Sequence, residues 1–482
     1  MAKNTRHNTE EMPSAPRGTY GAKQLWNDII GSVHGNEYDF TQGRIGRAIL
    51  LLSIPMVLEM AMESVFAVVD IFFVSKLGPE AIATVGLTES MVTLVYAVAM
   101  GLSMATTAII ARRIGEKNPD GASAAAVQAI VIGVLVALPV TILGLFYSPQ
   151  LLRLMGASET ILENFTSYTT IMLAGNGTIT LLFIINAIFR GAGDAAISMR
   201  VLWVANLLNI ILDPLLIFGI GPFPELGITG AAVATTIGRG LGVVYQCYLL
   251  AGKSKRIGIR AHHIKLNLEV MKRLVRLSIG GIGQFLISTA SWIGLTRIVA
   301  EFGSEALAGY TVAIRIIIFS LLPSWGMSNA AATLVGQNLG AAKPDRAEKS
   351  VYISAIVNMI VLALIGLLFY LYAEKLVMLF TDETRVIEIG AQCLRISCYG
   401  YLFYSWGMIT VQAFNGAGDT TTPTILNFIC FWMIEIPVAY VLAMALGFEE
   451  TGVFLSIVIA ESLLGIFGIV IFRRGNWKLR KV

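Results

Sequence analysis

Long apolar stretches run through most of the chain and restrict the folds that it can adopt. Each of twelve such stretches is long enough to cross the hydrocarbon core of a bilayer as a helix of about 20 residues. Hydrophobic residues make up 56% of the 482 residues and charged residues 14%, against about 45–50% and about 25% in soluble domains. We therefore predict an all-α polytopic membrane protein with twelve transmembrane helices. The predicted spans are 47–75, 81–111, 124–147, 160–188, 197–219, 228–251, 277–300, 306–336, 350–372, 386–413, 422–446 and 451–472.

Lys and Arg are concentrated in every second connection, which is the pattern of cytoplasmic loops. Arg112 and Arg113 follow the second span, and Lys343, Arg346 and Lys349 follow the eighth. No cleavable signal-peptide pattern precedes the first span. The charge pattern predicts that both termini face the cytoplasm. Short connections are typical of a multi-pass protein of a prokaryotic cytoplasmic (inner) membrane.

The two halves of the sequence repeat one another at a constant shift. Phe189–Asp194 recurs as Phe414–Asp419, a shift of 225 residues (419 − 194), and the same shift relates Gly78 to Gly303. Six spans return a chain to its starting side, so the two halves have the same orientation. Parallel repeats are typical of transporters that bind substrate between their halves.

The repeat divides the chain into a polar cytoplasmic leader, an N-lobe and a C-lobe of six helices each, a basic linker between them and a cytoplasmic tail. Two interpretations of the leader are open: a solvated tail or a short interfacial helix near 23–30. A nucleic-acid or anionic-lipid site in the linker is the alternative to a simple positive-inside connection, which the net charge of only +4 favours. The predicted bounds, in chain order, are 1–45 (leader), 46–252 (N-lobe), 253–276 (linker), 277–473 (C-lobe) and 474–482 (tail).

Three acidic residues lie in the first span: Glu59, Glu63 and Asp70. At about 100° per residue they share one stripe of the helix. A charged side chain at the bilayer centre costs roughly 2.5–3.5 kcal/mol, so we predict that the stripe lines an aqueous cavity. An interfacial position is the alternative for each acid taken singly.

The fifth span adds the polar residues Asn206, Asn209 and Asp213. Asn209 and Asp213 are four residues apart and share a helix face, and a helix-end cap is the alternative to a binding role. The sequence leaves the roles of further polar residues open: Glu89, Arg315, Arg395, Glu435 and Glu461.

Residue types that carry metal or enzymatic chemistry are missing from the predicted spans. The four histidines lie outside them, at 7, 34, 262 and 263. This argues against a His-ligated metal site or a His-based catalytic dyad. Because no nucleotide-binding loop is complete either, we expect no enzymatic activity and no cofactor, with an ion gradient as the driving force.

An aromatic cluster in the tenth span is a candidate for substrate contact, because aromatic faces attract organic cations. Ordinary helix packing is the alternative. The predicted substrate cavity is lined by Glu59, Glu63, Asn206, Tyr399, Tyr404 and Trp406.

Taken together, several of these features resemble the multidrug and toxin extrusion (MATE) family, over about 45–475. They are Pro55 with Val69-Asp70 and Leu77-Gly78, the run 209–214, the segment 227–235 and the two Gly-Ala-Gly-Asp turns. The resemblance implies two six-helix lobes in a V shape that export cationic, amphipathic compounds in exchange for H⁺ or Na⁺. It also implies a cation-coupling site of Asp70, Asn209 and Asp213, joined by Thr235 of the sixth span, in which ion and drug take turns.

One departure places the chain closer to the DinF-like branch of that family. Another branch carries acids on the seventh and tenth spans, whereas 278–296 and 398–415 contain no Asp or Glu. We expect a monomer whose partners are cationic small molecules and the lipid bilayer. The alternative is a lipid-linked oligosaccharide flippase of a related transporter group, which would need a large basic cavity. An intramembrane enzyme and a non-transporting scaffold are further rivals.

Asp70→Asn should abolish ion-driven efflux while the protein stays folded, because the variant removes the charge that the coupling ion neutralises. Ethidium efflux from cells or inverted vesicles, with the pH and Na⁺ gradients varied separately, measures this. Unchanged efflux in the variant would reject the assignment of Asp70.

Overall fold

The computed structural model describes residues 22–35, 38–252 and 256–480, and regular secondary structure in these ranges is helical throughout. The helices in these ranges are α1 (Ala22–His34), α2 (Ile45–Ser75), α3 (Pro79–Gly115), α4 (Pro119–Leu154), α5 (Glu159–Asn164), α6 (Thr166–Ala192), α7 (Ala195–Ile217), α8 (Ile228–Ala251), α9 (Leu268–Ala300), α10 (Ser304–Gly340), α11 (Pro344–Val377), α12 (Thr384–Ala417), α13 (Thr421–Ala445) and α14 (Glu449–Arg473).

Twelve of these helices form the two predicted sets of six. Within the described ranges, nine helices are long and apolar enough to cross a membrane. α2, α8 and α12, which carry charged residues within their length, complete the sets. The N-lobe consists of α2–α4 and α6–α8, and the C-lobe of α9–α14. The predicted fold is confirmed.

Two helix boundaries differ from those predicted. The predicted linker reaches residue 276, but α9 already begins after Asn267, whose side-chain oxygen accepts hydrogen bonds from the amides of Glu269 and Val270 at 3.1 and 3.2 Å. Such a cap starts a helix because it satisfies amides that have no partner within the helix. The predicted fourth span, 160–188, consists of α5 and α6, which are separated at Phe165. Linker residues 253–255 lie outside the described residues.

The leader ends in helix α1, in agreement with its interpretation as an interfacial helix. Asp28 of α1 is buried and forms an ion pair of 2.7 Å with Arg47 of α2. Trp26 is 62% exposed, and tryptophan is enriched at membrane–water interfaces. Residues 1–21 of the leader and 481–482 of the tail lie outside the described residues.

The lobes pack against each other through glycines that the repeat relates. A Cβ atom on Gly115 of α3 would lie 2.0 Å from the carbonyl oxygen of Gln337 in α10. A Cβ atom on Gly340 would lie 2.2 Å from the carbonyl oxygen of Arg112. These two positions need glycine because a side chain of any size would collide with the opposite backbone.

Hydrogen bonds also join the lobes at the end of the bundle that carries Arg112, Lys343, Arg346 and Arg480, called here the basic end. Lys343 and Arg346 of α11 donate to backbone carbonyls of residues 40–43, which precede α2. The carbonyl of Arg480, beyond α14, accepts a hydrogen bond from Arg112 of α3. Segments next to both ends of the chain thus tie one lobe to the other.

Equivalent contacts in the two lobes are displaced by about one helical turn. Trp203 Nε1 donates to the carbonyl of Leu58 at 3.0 Å, and Trp432 Nε1 donates to that of Ile287 at 3.1 Å. Both donors and acceptors are related by 229 residues (432 − 203 and 287 − 58), four more than the shift in the sequence. The constant shift of 225 therefore does not relate every equivalent pair in α9 and α13.

Replacing Gly115 by Ala should lower the melting temperature of the purified protein, because overpacking a tight contact costs about 1–3 kcal/mol. Gly86 of α3 is the matched control, since a Cβ atom there meets nothing within 4 Å. We expect Gly86→Ala to leave the melting temperature unchanged or slightly raised. Equal melting temperatures for Gly115→Ala and wild type would contradict the close contact.

Candidate functional site

Three of the predicted coupling residues form a buried polar cluster between α7 and α8. Asn209, Asp213 and Thr235 are 2%, 0% and 6% exposed. Asn209 and Asp213 share a face of α7, and Thr235 faces them from α8. Asn209 Nδ2 donates to Thr235 Oγ1 at 3.0 Å and lies 3.4 Å from Asp213 Oδ1. The amide of Asn209 therefore holds the cluster together.

Two oxygen atoms of this cluster are buried without a hydrogen-bond partner. They are Asn209 Oδ1 and Asp213 Oδ2. A buried acceptor without a donor costs about 1–3 kcal/mol, and both atoms are hard oxygen ligands of the kind that suits Na⁺ or a proton. Asp70 of α2 lies close enough to Asp213 for their charges to interact. The arrangement can take up a small cation.

Glu59 is engaged in an ion pair inside the N-lobe. Its side chain is 1% exposed, and its Oε1 accepts a hydrogen bond of 2.7 Å from Arg190. Asn186 Nδ2 lies 3.4 Å from the same oxygen and connects the pair to Gln246, which donates to Asn186 Oδ1 at 2.5 Å. The charge of Glu59 is therefore balanced by a neighbour from α6.

Glu63 also has an arginine partner. Arg239 of α8 lies 3.8 Å from Glu63 Oε1, and Asn206 Nδ2 donates to Glu63 Oε2 at 3.0 Å. Arg239 further donates to the Tyr96 hydroxyl at 2.9 Å and lies 5.5 Å from the centroid of the Phe66 ring. Asn206 thus supports this pair on a different part of α7 from the coupling cluster.

The N-lobe acids accordingly fall into two groups. Glu59 and Glu63 are paired with arginines, whereas neither Asp70 nor Asp213 forms an ion pair with any described residue. An unpaired carboxylate in an apolar bundle is costly unless a cation or proton joins it. The net negative charge of this lobe is therefore concentrated at Asp70 and Asp213.

A cavity of about 550 Å³ lies between the lobes. Its wall comes from both lobes, with Met60, Met104, Phe183 and Arg190 on one side and a larger number of residues of α9, α10 and α12–α14 on the other. Its volume is within the range of about 300–1,000 Å³ that is usual for small-molecule sites. The predicted coupling residues are not among its lining residues.

Of the residues predicted to line the substrate cavity, Tyr404 lines this one. Tyr399 and Trp406 lie elsewhere on α12 and are corrected here: Tyr399 is 63% exposed beside Tyr370, and Trp406 packs edge-on against Tyr352. The reason is helix periodicity, because residues two and five positions away from Tyr404 point to other faces. The structure places the remaining three in the N-lobe network described above: Glu59, Glu63 and Asn206.

The charge partners in the N-lobe were missed from the sequence. Arg190 belongs to a Gly-Ala-Gly-Asp turn and was counted with the cytoplasmic basic residues. Arg239 is a single arginine within the sixth span, and an arginine within a span would have been a usable signal. Glu435 and Glu461, whose roles the sequence left open, both line the cavity.

One group of described residues, Asp120, His262 and His263, has donor atoms close enough to hold a metal ion. The ring of His263 is already engaged on both sides: Nδ1 accepts from the amide of Arg260 at 3.1 Å, and Nε2 lies 3.1 Å from Asp120 Oδ1. A neutral ring that accepts at Nδ1 carries its proton on Nε2. This nitrogen then donates to Asp120, so the group fixes the linker to α4 and does not favour a metal.

Comparison with known proteins gives consistent matches over both lobes. The MatE family model matches residues 55–215 and 282–441. NorM of Thermotoga maritima, a probable multidrug resistance protein, is 27% identical over 440 residues, covering 91% of this chain and 94% of that protein. YoeA of Bacillus subtilis, also a probable multidrug resistance protein, is 26% identical over 444 residues, covering 91% and 95%. A solved outward-facing multidrug resistance MATE family transporter superposes with a TM-score of 0.85 at 27% identity, covering 90% and 97%.

Glu59→Gln should destabilise the protein, because removing one partner of a buried ion pair costs about 3–5 kcal/mol. We expect a lower melting temperature in detergent, partly recovered in the double variant Glu59→Gln/Arg190→Gln. Glu225→Gln, at an exposed position, is the control. A wild-type melting temperature for Glu59→Gln would show that the pair is not structural.

Proposed function

Because the chain belongs to the MatE family of multidrug efflux transporters, we propose that it exports cationic, amphipathic small molecules in exchange for H⁺ or Na⁺. The two-lobe fold and the cavity between the lobes support this proposal. Its relatives are transporters, and we propose that the chain likewise acts without enzymatic chemistry or a cofactor.

The observation that carries the proposal is the pair of unpartnered oxygens, Asn209 Oδ1 and Asp213 Oδ2, beside Asp70. In the deprotonated state this cluster holds uncompensated negative charge in a low-dielectric lobe. Uptake of a proton or a Na⁺ ion neutralises that charge. Na⁺ would be held by oxygens of Asp70, Asn209, Asp213 and Thr235, whereas a proton would bind a carboxylate.

Ion and drug influence one another through the lobes, since the coupling cluster does not line the cavity. This revises the expectation that both occupy the same atoms in turn. α2 carries Asp70 and also touches the other lobe, where a Cβ on Gly326 of α10 would lie 2.7 Å from the Met56 carbonyl. A change of charge at Asp70 can therefore alter how the lobes meet, which is the coupling free energy that exchange requires.

The charge distribution assigns the acids of α2 to different tasks. Glu59 and Glu63 are held by arginines and maintain the structure of the N-lobe. Asp70 and Asp213 are the groups that respond to the ion. We place the basic end in the cytoplasm, where the positive-inside rule puts clustered Lys and Arg, and propose a monomer in the cytoplasmic (inner) membrane.

The lipid-linked oligosaccharide flippase is less well supported. A polyanionic lipid substrate would need a basic cavity. The described wall of this cavity carries Glu435 and Glu461, and its one arginine, Arg190, is already paired with Glu59. The charge of the wall therefore favours a cationic substrate.

Asp213→Asn should reduce gradient-driven ethidium efflux from proteoliposomes by about tenfold or more, as expected when a coupling of 1–3 kcal/mol is lost. Efflux is measured with a pH gradient alone and with a Na⁺ gradient alone, and the gradient that drives wild-type efflux identifies the ion. Glu163→Gln, at an exposed position of the same lobe, should transport like wild type. Undiminished efflux by Asp213→Asn would overturn the proposed coupling site.

A further inference from the structure

We infer that Glu435 and Glu461 form a substrate site in the C-lobe wall of the cavity, and that this site selects compounds carrying two positive charges. The inference rests on the proposed function and adds to it the residues and the charge of the preferred substrate. The carboxylates come from two helices, Glu435 from α13 and Glu461 from α14, and both line the cavity.

The two carboxylates are held in place but are not neutralised. Glu435 is 5% exposed, and Ser291 donates to its Oε2 at 2.6 Å. Glu461 Oε2 is buried without a hydrogen-bond partner, and the charge of Glu461 lies close enough to interact with that of Glu435. Neither forms an ion pair with a described residue, in contrast to Glu59 and Glu63, whose partners are Arg190 and Arg239.

A third polar group in the same wall also lacks a partner. Asn427 is 7% exposed and lines the cavity, and its Oδ1 has no hydrogen-bond donor. A buried amide oxygen that faces a cavity is satisfied by a donor that the ligand brings. Together with Glu461 Oε2, it provides two acceptors suited to the N–H groups or positive charge of an organic cation.

Aromatic side chains surround these acceptors. Trp292, Trp325, Tyr404 and Phe431 line the cavity together with the two glutamates. Aromatic faces attract cations by about 0.5–2 kcal/mol each, depending on desolvation. The wall therefore suits a planar aromatic scaffold that carries its charges toward the carboxylates.

The backbone that presents Glu435 is irregular. Residues 428–435 of α13 are π-helical, a rare conformation that is frequent at functional sites. The shift of 229 residues that relates the two tryptophan contacts also carries Asn206 onto Glu435 (206 + 229). In the N-lobe this position supplies the amide that binds Glu63. The C-lobe has a carboxylate there instead, directed to the cavity.

Charge balance sets the preference for two charges. The cavity wall has one described basic residue, Arg190, and Glu59 already compensates it. A singly charged ligand would leave one of the two carboxylates uncompensated in a low-dielectric site, whereas a dication compensates both. Dications should therefore bind more tightly than monocations that share their aromatic scaffold.

Ethidium and propidium provide this comparison, because both share a phenanthridinium ring and propidium carries a second, quaternary ammonium charge. Equilibrium binding to the purified full-length protein, at one pH and without an ion gradient, is followed by fluorescence anisotropy. We expect wild type to bind propidium about tenfold more tightly than ethidium. Glu435→Gln and Glu461→Gln should each weaken propidium binding about tenfold and ethidium binding less than about threefold. Glu305→Gln, at an exposed position of the same lobe, should change neither.

Asn427→Asp keeps the test decisive if a Gln variant fails to fold, because a third carboxylate should raise propidium affinity above wild type. The inference is overturned if wild type shows no preference for propidium, if both dyes lose affinity equally in the Gln variants, or if Asn427→Asp leaves propidium affinity unchanged. Efflux by Asp213→Asn separates this outcome from the proposed function. Lost efflux in Asp213→Asn with no propidium preference in wild type would reject only the C-lobe site.

Discussion

Compensation of charge inside an apolar helix bundle determines how the N-lobe is arranged. Glu59 and Glu63 would be costly in a low-dielectric interior, and each is balanced by an arginine from another helix, Arg190 from α6 and Arg239 from α8. These pairs tie α2 to both helices. Because they use up the arginines, the charge at Asp70 remains without an ion-pair partner and available to a mobile cation.

The same bookkeeping differs between the two lobes. The acids of the C-lobe wall, Glu435 and Glu461, have no arginine partner among the described residues and face the cavity. Two sites of uncompensated charge thus lie on either side of the interface between the lobes. An interface made by close glycine contacts, such as those at Gly115 and Gly340, is rigid in packing but small in contact area at each point. It therefore allows one lobe to move against the other as a body.

Much of the architecture was predictable because it follows from one-dimensional patterns. Apolar length gave the twelve spans, and the recurrence of the Gly-Ala-Gly-Asp turns gave the two halves. The i, i+4 spacing of Asn209 and Asp213 placed both on one face of α7, and the structure adds Thr235 at 3.0 Å from Asn209. The lining role of Tyr399 and Trp406 was not predictable, because membership of an aromatic cluster does not state which helix face meets the cavity.

The sequence by itself determined the class of fold, the repeat and the set of polar residues that a bilayer would not tolerate without a partner. Only the tertiary structure decided which of those residues are paired. Glu59 and Asp70 are both acids of one helix stripe, and they differ only in whether an arginine of a distant segment reaches them. Such pairing depends on distances between helices that are far apart in the chain. The hydrophobic pattern along each helix contains no information about those distances.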